Sequence, residues 1–105
     1  DKKVSAIGMG TYYDPTWIAA SVLGFRKNKK QHIEAIKRGL ESGINLIDTA
    51  EIYNTESLIS EAIKPYEREE LFIATKVFMH HLRRDKVIKS CERSLQKLGL
   101  KQIDL

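Results

Sequence analysis

The sequence predicts an α/β protein with a parallel sheet, because short apolar runs and amphipathic segments alternate in the order β-α-β-α-β-α-β. Such an alternation implies parallel strands joined by right-handed helical crossovers. A doubly wound sheet and a segment of a TIM-type (β/α) barrel both have this order, and periodicity alone does not choose between them. A complete barrel takes about 250 residues, so the 105 residues of this chain would supply four strands of eight, about half of one.

Four apolar runs are the predicted strands, and they lie at residues 4–9, 44–47, 71–77 and 103–105. The first run is broken by Gly8 and is followed by Gly10, where a glycine permits the close approach of another backbone or of a ligand. The third run is apolar on both faces, which is typical of a buried strand in a parallel sheet.

Three amphipathic segments are the predicted helices. The first spans residues 29–42 and ends at Gly43, with His32 on its solvent face. Its apolar face consists of Ile33, Ala35, Ile36 and Leu40. Residues 11–27, which precede it, show no dominant period and predict a long loop with a helical turn over residues 17–22.

The other two predicted helices are bounded by their capping residues. The second begins at Thr55, a suitable N-cap, and stops at Lys64 because Pro65 follows. The third is capped by Asp85, ends at Gly99, and has an apolar stripe that we expect to lie in the core. That stripe consists of Val87, Ile88, Cys91, Leu95 and Leu98.

The composition is that of an ordinary globular domain. With 42% hydrophobic and 30% charged residues, disorder is not expected. The net charge of +4 is spread along the chain, so nucleic-acid binding is not predicted, and no apolar run approaches the roughly 20 residues of a membrane span. A single cysteine, Cys91, permits no internal disulfide and favours a cytoplasmic location. The chain starts without a methionine, which indicates a longer parent.

Three polar residues are expected to meet where the strands end. Asp48 follows the second strand, Tyr53 lies in the next loop, and Lys76 closes the third strand. A free phenol holds its proton up to about pH 10, whereas a neighbouring ammonium favours the phenolate and a carboxylate holds the ammonium in place. The set could therefore protonate an alkoxide as it forms from a carbonyl. A loop cap, a packed tyrosine and a simple salt bridge would explain the same residues.

Other chemistries lack their motifs. Gly8 and Gly10 are not followed by a third glycine that opens a helix, so the dinucleotide-binding fingerprint is absent. No Ser-His-Asp arrangement can be argued from three histidines, and the adjacent His80 and His81 do not suit a shared metal, so no metal site is predicted. The Asp-Tyr-Lys set also disfavours a sugar-phosphate isomerase half-barrel.

Several motifs, in order, strongly resemble the aldo-keto reductase family. They lie at residues 7–11, 43–53, 56–57, 61–64, 72–77 and 94–105. The resemblance implies a (β/α)8 barrel that binds NADPH and reduces a small-molecule aldehyde or ketone through an Asp-Tyr-Lys-His tetrad. Three members match this chain, namely Asp48, Tyr53 as the acid, and Lys76.

The resemblance also implies how the remaining site residues are used. Gly10, Thr11 and Tyr12 would lie against the nicotinamide side of NADPH, and Asp48 would approach its ribose. The predicted walls of the substrate pocket are Tyr12, Trp17, Phe78 and His80.

Two departures from the family pattern matter. The loop after Tyr53 usually carries a glycine, and here it reads Asn54-Thr55. The family histidine would follow residue 105, and the residues that hold the pyrophosphate lie in the family's second half.

We therefore predict that residues 1–105 are the N-terminal half of such a barrel, inactive alone and completed by the missing C-terminal half-barrel or by self-association through open sheet edges. The alternative is a non-catalytic, regulatory half-barrel of the same family. Such a module would associate through the same unpaired edges and exposed apolar face.

Overall fold

A three-stranded parallel sheet lies at the centre of residues 2–105, the part of the chain that this computed structural model describes. The strands are β1 (Gly8–Gly10), β2 (Leu46–Asp48) and β3 (Phe72–Ala74), and they lie side by side in chain order. The register aligns Gly10 with Asp48 and Asp48 with Ala74. The carboxyl ends of the strands therefore form one level edge, on which the following loops meet.

Four α-helices connect and follow the strands. They are α1 (Pro15–Val22), α2 (Lys29–Glu41), α3 (Glu56–Ile63) and α4 (Arg84–Leu98). Short 3-10 turns lie at Glu51–Tyr53, Arg68–Glu70 and Met79–His81. Within residues 2–105, no helix has both the length and the apolar character that crossing a bilayer requires.

The long loop predicted before α2 contains a two-turn helix, α1. Asp14 explains its start, because its carboxylate accepts a hydrogen bond of 2.9 Å from the backbone N–H of Trp17. Pro15 occupies the first helical position, where its missing N–H costs nothing. The prediction of only a turn over residues 17–22 was therefore too short at its N-terminal end.

The core lies between the sheet and the helices, where α2 packs against α3 and α3 against α4. Its buried side chains include Trp17, Ile36, Leu40, Ile47, Leu58, Ile59, Ala62, Ile63, Leu71, Ile73 and Leu98. The C-terminal stops predicted for two helices are confirmed, since Gly43 and Gly99 have φ of +88° and +67°. Ala35, predicted on the buried face of α2, is exposed.

The strands are shorter than the apolar runs predicted. The first starts at Gly8 because the side chain of Asn45, rather than a backbone ladder, binds the preceding residues, with bonds to the Ser5 N–H and the Lys3 carbonyl. The fourth predicted strand, at residues 103–105, is not a strand. Its backbone still bonds next to β3, because the N–H of Asp104 donates to the carbonyl of Ile73 and the carbonyl of Leu105 accepts from the N–H of Thr75.

Helix α4 buries only part of the face that was predicted, since Leu98 is buried, Val87 and Leu95 are half-buried, and Ile88 is exposed. Cys91 is exposed, and the fully buried positions are Ser90, Ser94 and Leu98. The hydroxyl side chains of Ser90 and Ser94 share the buried face with Leu98, four residues apart along the helix, and this leaves Cys91 on the exposed side. Asp85 lies in the first turn of the helix rather than at its N-cap.

Asp104 joins three parts of the chain near the start of β3. Its carboxylate accepts hydrogen bonds from the ammonium of Lys2 at 2.7 Å, the guanidinium of Arg68 at 2.5 Å, and the backbone N–H of Ile73 at 2.8 Å. Burial raises the pKa of Asp104, but these hydrogen bonds and the Arg68 charge outweigh it and hold the pKa below its ordinary value. The ionised carboxylate therefore stabilises the fold.

We expect the Asp104→Asn substitution to lower the free energy of unfolding at pH 7 by about 1.5 kcal/mol, because it removes a charge-assisted hydrogen bond. Because the pKa of Asp104 is lower in the folded than in the unfolded protein, the ionised carboxylate stabilises the fold above the unfolded-state pKa of about 3.9. This stabilisation is lost as the pH falls below that value. The deficit of the variant should therefore shrink as the pH falls from 5 to 3. Urea unfolding at several pH values measures this.

A matched control is Glu61→Gln, which breaks the exposed ion pair with Lys29. Exposed pairs contribute little, so this variant should unfold like the wild-type protein. A deficit of Asp104→Asn that stays constant over the same pH range would contradict the assignment.

Candidate active site

Asp48 and Lys76 form an ion pair at the carboxyl edge of the sheet. Asp48 is the last residue of β2, and the Lys76 ammonium lies 2.6 Å from its Oδ1 atom. The same ammonium donates to the carbonyl of Thr49 at 2.9 Å. Both side chains are about half exposed, so water still reaches the pair. These two bonds fix the position of the Lys76 ammonium, and one side of it remains open to solvent.

Tyr53 lies beside this pair. It ends the 3-10 turn Glu51–Tyr53, and the Lys76 ammonium is 5.4 Å from the centre of its ring. The ring of Tyr12 meets it edge-on at 5.3 Å. The structure thus brings Asp48, Tyr53 and Lys76 together, as the sequence led us to expect.

Asn54, directly after Tyr53, takes the backbone conformation for which a glycine would be expected. Asn54 has a φ of +55°, in the left-handed region that glycine usually fills and that asparagine tolerates better than other side chains. The carbonyl of Tyr53 accepts a hydrogen bond of 3.3 Å from the indole N–H of Trp17. The loop therefore keeps its turn without glycine and is fixed to α1.

Trp17 belongs to an aromatic cluster behind this loop. Only 5% of Trp17 is exposed, and the ring of His32 lies 4.9 Å away. Tyr13 stacks on His32 at 3.6 Å, so the histidine predicted on the solvent face of α2 is half-buried. Burial raises the pKa of Tyr13 to about 12 and lowers that of His32. Trp17 supports the Tyr53 backbone, and its predicted contact with substrate stays a prediction.

Three threonine hydroxyls form a buried cluster below the site. The sequence singled out Thr11 as a cofactor contact and Thr55 as an N-cap, but it did not predict this cluster. Thr11 and Thr49 follow β1 and β2 directly, and each hydroxyl lies within 3.1 Å of the hydroxyl of Thr55. Thr55 precedes α3 as predicted, but its side chain makes no capping bond to the helix. This threonine cluster attaches the start of α3 to two strand ends.

Glu56, the first residue of α3, is fully buried and was also missed. Its Oε1 atom accepts a hydrogen bond of 3.1 Å from Thr75, the residue between β3 and Lys76. Its Oε2 atom has no hydrogen-bond partner among the described residues, and the Lys97 ammonium is 3.9 Å away. A carboxylate at a helix N-terminus is favourable, and here it joins α3 to β3 and α4.

Of the predicted cofactor contacts, Gly10 and Tyr12 lie in open surroundings, whereas Thr11 does not. A Cβ atom added at Gly10 would meet no atom within 4 Å, and Tyr12 is half exposed. Thr11 is buried, and its N–H and hydroxyl both donate to the carbonyl of Asp48. This surface leaves room for a flat ring beside the Asp48–Lys76 pair.

Phe78 and His80, the other predicted pocket walls, lie on the loop that follows Lys76. Their rings are 5.1 Å apart, with Phe78 half-buried and His80 exposed. Phe78 also lines a cavity of about 270 Å³ together with Ile18, Val22 and Ile52. The assignment of these side chains as substrate contacts stays a prediction.

Comparison with known proteins identifies the chain. The family model described as Aldo/keto reductase family matches residues 6–105. The chain belongs to this family. Methylglyoxal reductase DkgB of Escherichia coli O157:H7 is 36% identical to it over 104 residues, which cover 97% of this chain and 34% of that protein.

Solved structures of aldo-keto reductases have the same fold. One from Klebsiella pneumoniae, in complex with NADP and acetate, gives a TM-score of 0.80 at 29% identity over 96% of this chain and 34% of its own. The thermostable aldo-keto reductase Tm1743, in complex with the inhibitor epalrestat, gives 0.79 at 34% identity over 95% and 36%. This likeness confirms the partial (β/α) barrel over the doubly wound alternative. The chain spans about a third of the length of the relatives it matches.

Proposed function

We propose that residues 1–105 are the N-terminal half of an aldo-keto reductase barrel, and that the complete protein reduces an aldehyde or ketone to an alcohol with NADPH. The observation that carries this proposal is the meeting of Asp48, Lys76 and Tyr53 at the carboxyl edge of a parallel sheet, in a member of this family. In barrels of this kind, chemistry occurs at that edge.

The side chains of residues 1–105 supply the proton that the reduction of a carbonyl compound requires. NADPH, when bound, supplies the hydride that reaches the carbonyl carbon. Tyr53 donates a hydrogen bond to the carbonyl oxygen and then its proton, so that an alcohol rather than an alkoxide leaves. The Lys76 ammonium, 5.4 Å from the Tyr53 ring centre, stabilises the phenolate that remains. Asp48 holds that ammonium in place through its 2.6 Å bond.

We base the proposed cofactor and substrate on the open surface at Gly10 and Tyr12 and on the names of the related proteins. Gly10 and Tyr12 leave room for the nicotinamide, and the Klebsiella pneumoniae structure named above contains NADP. Because DkgB is described as a methylglyoxal reductase, we propose a small carbonyl compound of that kind as the first substrate to test. A cytoplasmic location would supply NADPH.

The decisive experiment measures NADPH oxidation by the complete protein with methylglyoxal and a panel of larger aldehydes and ketones. We expect carbonyl-dependent oxidation of NADPH and formation of the alcohol. Residues 1–105 alone should give no turnover, because the family histidine and phosphate contacts are expected in the second half. Turnover by the isolated residues would contradict the proposed division of the site.

A non-catalytic half-barrel module is the second candidate. It is favoured by the edge of the sheet, since β1 pairs only with β2 within residues 2–105 and Ile7 beside it is 70% exposed. An open edge of this kind can pair with another chain. A complete protein that binds NADPH without oxidising it on any carbonyl compound would favour this second candidate.

A further inference from the structure

Glu51 contacts both loops that carry the proposed acid and the proposed pocket wall. It begins the 3-10 turn that ends at Tyr53, and its backbone N–H donates to the carbonyl of Lys76 at 3.0 Å. Its side chain reaches further along the same loop, where its Oε2 atom accepts a hydrogen bond of 3.1 Å from the backbone N–H of Phe78. One residue thus bridges the Tyr53 loop and the segment from Lys76 to Phe78.

Two more side chains hold the same carboxylate. The Nδ1 atom of His81 lies 3.0 Å from the Oε1 atom of Glu51, and the hydroxyl of Ser90 donates to that oxygen at 3.3 Å. Ser90 is buried on α4, so the carboxylate is fixed to a helix as well as to two loops. Both Ser90 and Glu51 approach the same nitrogen of His81, which is not the arrangement of a nucleophilic triad.

The carboxylate is ionised in this environment. The Glu51 side chain is only 12% exposed. Burial raises the pKa of Glu51, but the hydrogen bonds from Phe78, His81 and Ser90 outweigh it and hold the pKa below its ordinary value. An acceptor surrounded by three donors is strongly oriented, because charge-assisted hydrogen bonds are short and directional.

We infer that Glu51 is a positioning residue, which sets the distance between the Tyr53 proton donor and the Phe78 side of the pocket. This inference rests on the proposed reductase function. Without the side chain, the two loops would still be joined by the backbone bond from Glu51 to Lys76 and by the bond from the Lys76 ammonium to Thr49, but the N–H of Phe78 would lose its acceptor. A displacement of about 1 Å between reacting groups can cost 10²-fold in rate, so this contact is expected to matter although it touches no substrate.

The test compares Glu51→Ala with Glu51→Gln in the complete protein. The amide oxygen of glutamine can still accept from the Phe78 N–H, and the amide nitrogen can donate to His81 in its other tautomer. We expect Glu51→Ala to lower kcat/KM for the carbonyl substrate by about 10- to 100-fold, with an unchanged Kd for NADPH. Glu51→Gln should retain most of the activity because the bridge persists.

Asp104→Asn is the matched control, since the Asp104 carboxylate also accepts from three donors, but those donors are Lys2, Arg68 and Ile73, and none of them lies on either loop. It should lower stability and leave kcat/KM unchanged. An equal loss of kcat/KM in Asp104→Asn and Glu51→Ala would overturn the inference, because general destabilisation would then explain both. An equal loss in Glu51→Ala and Glu51→Gln would also overturn it.

Amide hydrogen exchange provides a readout that does not need turnover. In Glu51→Ala the N–H of Phe78 loses its acceptor and should exchange faster, whereas in Glu51→Gln it should stay protected. If wild-type protein reduces no carbonyl compound but Phe78 exchange follows this order, the proposed function fails while the bridge stands. If wild-type protein is active and Glu51→Ala has unchanged kcat/KM, the positioning role fails while the function stands.

Discussion

Replacing Tyr53 by phenylalanine in the complete protein is expected to lower kcat for carbonyl reduction by about 10²- to 10⁴-fold, the usual contribution of a positioned general acid. The ring would remain, with its edge contact to Tyr12 and its place beside the Lys76 ammonium. Only the proton donor is lost. Binding of NADPH, measured by fluorescence titration, should therefore change little, while steady-state turnover nearly disappears.

Tyr13→Phe is the control for this experiment. Tyr13 is a nearby phenol that stacks on His32 and is half-buried, and its hydroxyl has no part in the proposed chemistry. This variant should keep kcat within a few-fold of wild type. Retention of more than a tenth of the wild-type kcat by Tyr53→Phe would remove the tyrosine from its proposed role.

Gly39→Ala should destabilise the protein although alanine is the better helix former. A Cβ atom at position 39 would lie 1.9 Å from the sulfur of Met9 and 3.2 Å from its Cγ and Cε atoms, so α2 and β1 are in close contact there. Overpacking costs typically 1–3 kcal/mol, whereas the gain in helix propensity is about 1 kcal/mol. We expect a net loss of up to about 2 kcal/mol in the free energy of unfolding by urea.

The sign of this effect should reverse when Met9 is shortened. In a Met9→Ala background the clash is absent, and Gly39→Ala should then stabilise by about 1 kcal/mol. Ala35→Gly, at an exposed position of the same helix, measures the propensity alone and should cost about that amount. A Gly39→Ala effect that is the same in both backgrounds would show that Met9 is not the obstacle.

The sequence predicted the parts of this site that depend on topology. Asp48 directly follows one predicted strand and Lys76 closes the next, so the parallel order alone brings them to one edge. It did not predict the contacts that depend on side-chain direction in loops and helices. Ser90 and Cys91 are neighbours on α4, and only packing decides that the serine faces Glu51 while the cysteine faces outward.

The fold shows the same division. Helix ends at Gly43 and Gly99 follow from local backbone preference and were predicted correctly. The start of β1 was not, because Asn45 replaces backbone pairing with side-chain bonds to residues 3 and 5. Asn54 illustrates a third case, in which a residue that departs from the family pattern adopts the left-handed conformation that favours glycine.

The threonine cluster has a direction. The hydroxyl of Thr11 donates its only hydrogen to the carbonyl of Asp48, so it must accept from Thr55. Thr55 has then used its own hydrogen, and Thr49 must donate to it. All three hydroxyl dipoles therefore point the same way, from Thr49 through Thr55 and Thr11 to the residue that binds the Lys76 ammonium. Polarisation along such a chain strengthens each hydrogen bond. The hydrogen bond that the Asp48 carbonyl accepts from the Thr11 hydroxyl is therefore stronger than an isolated one.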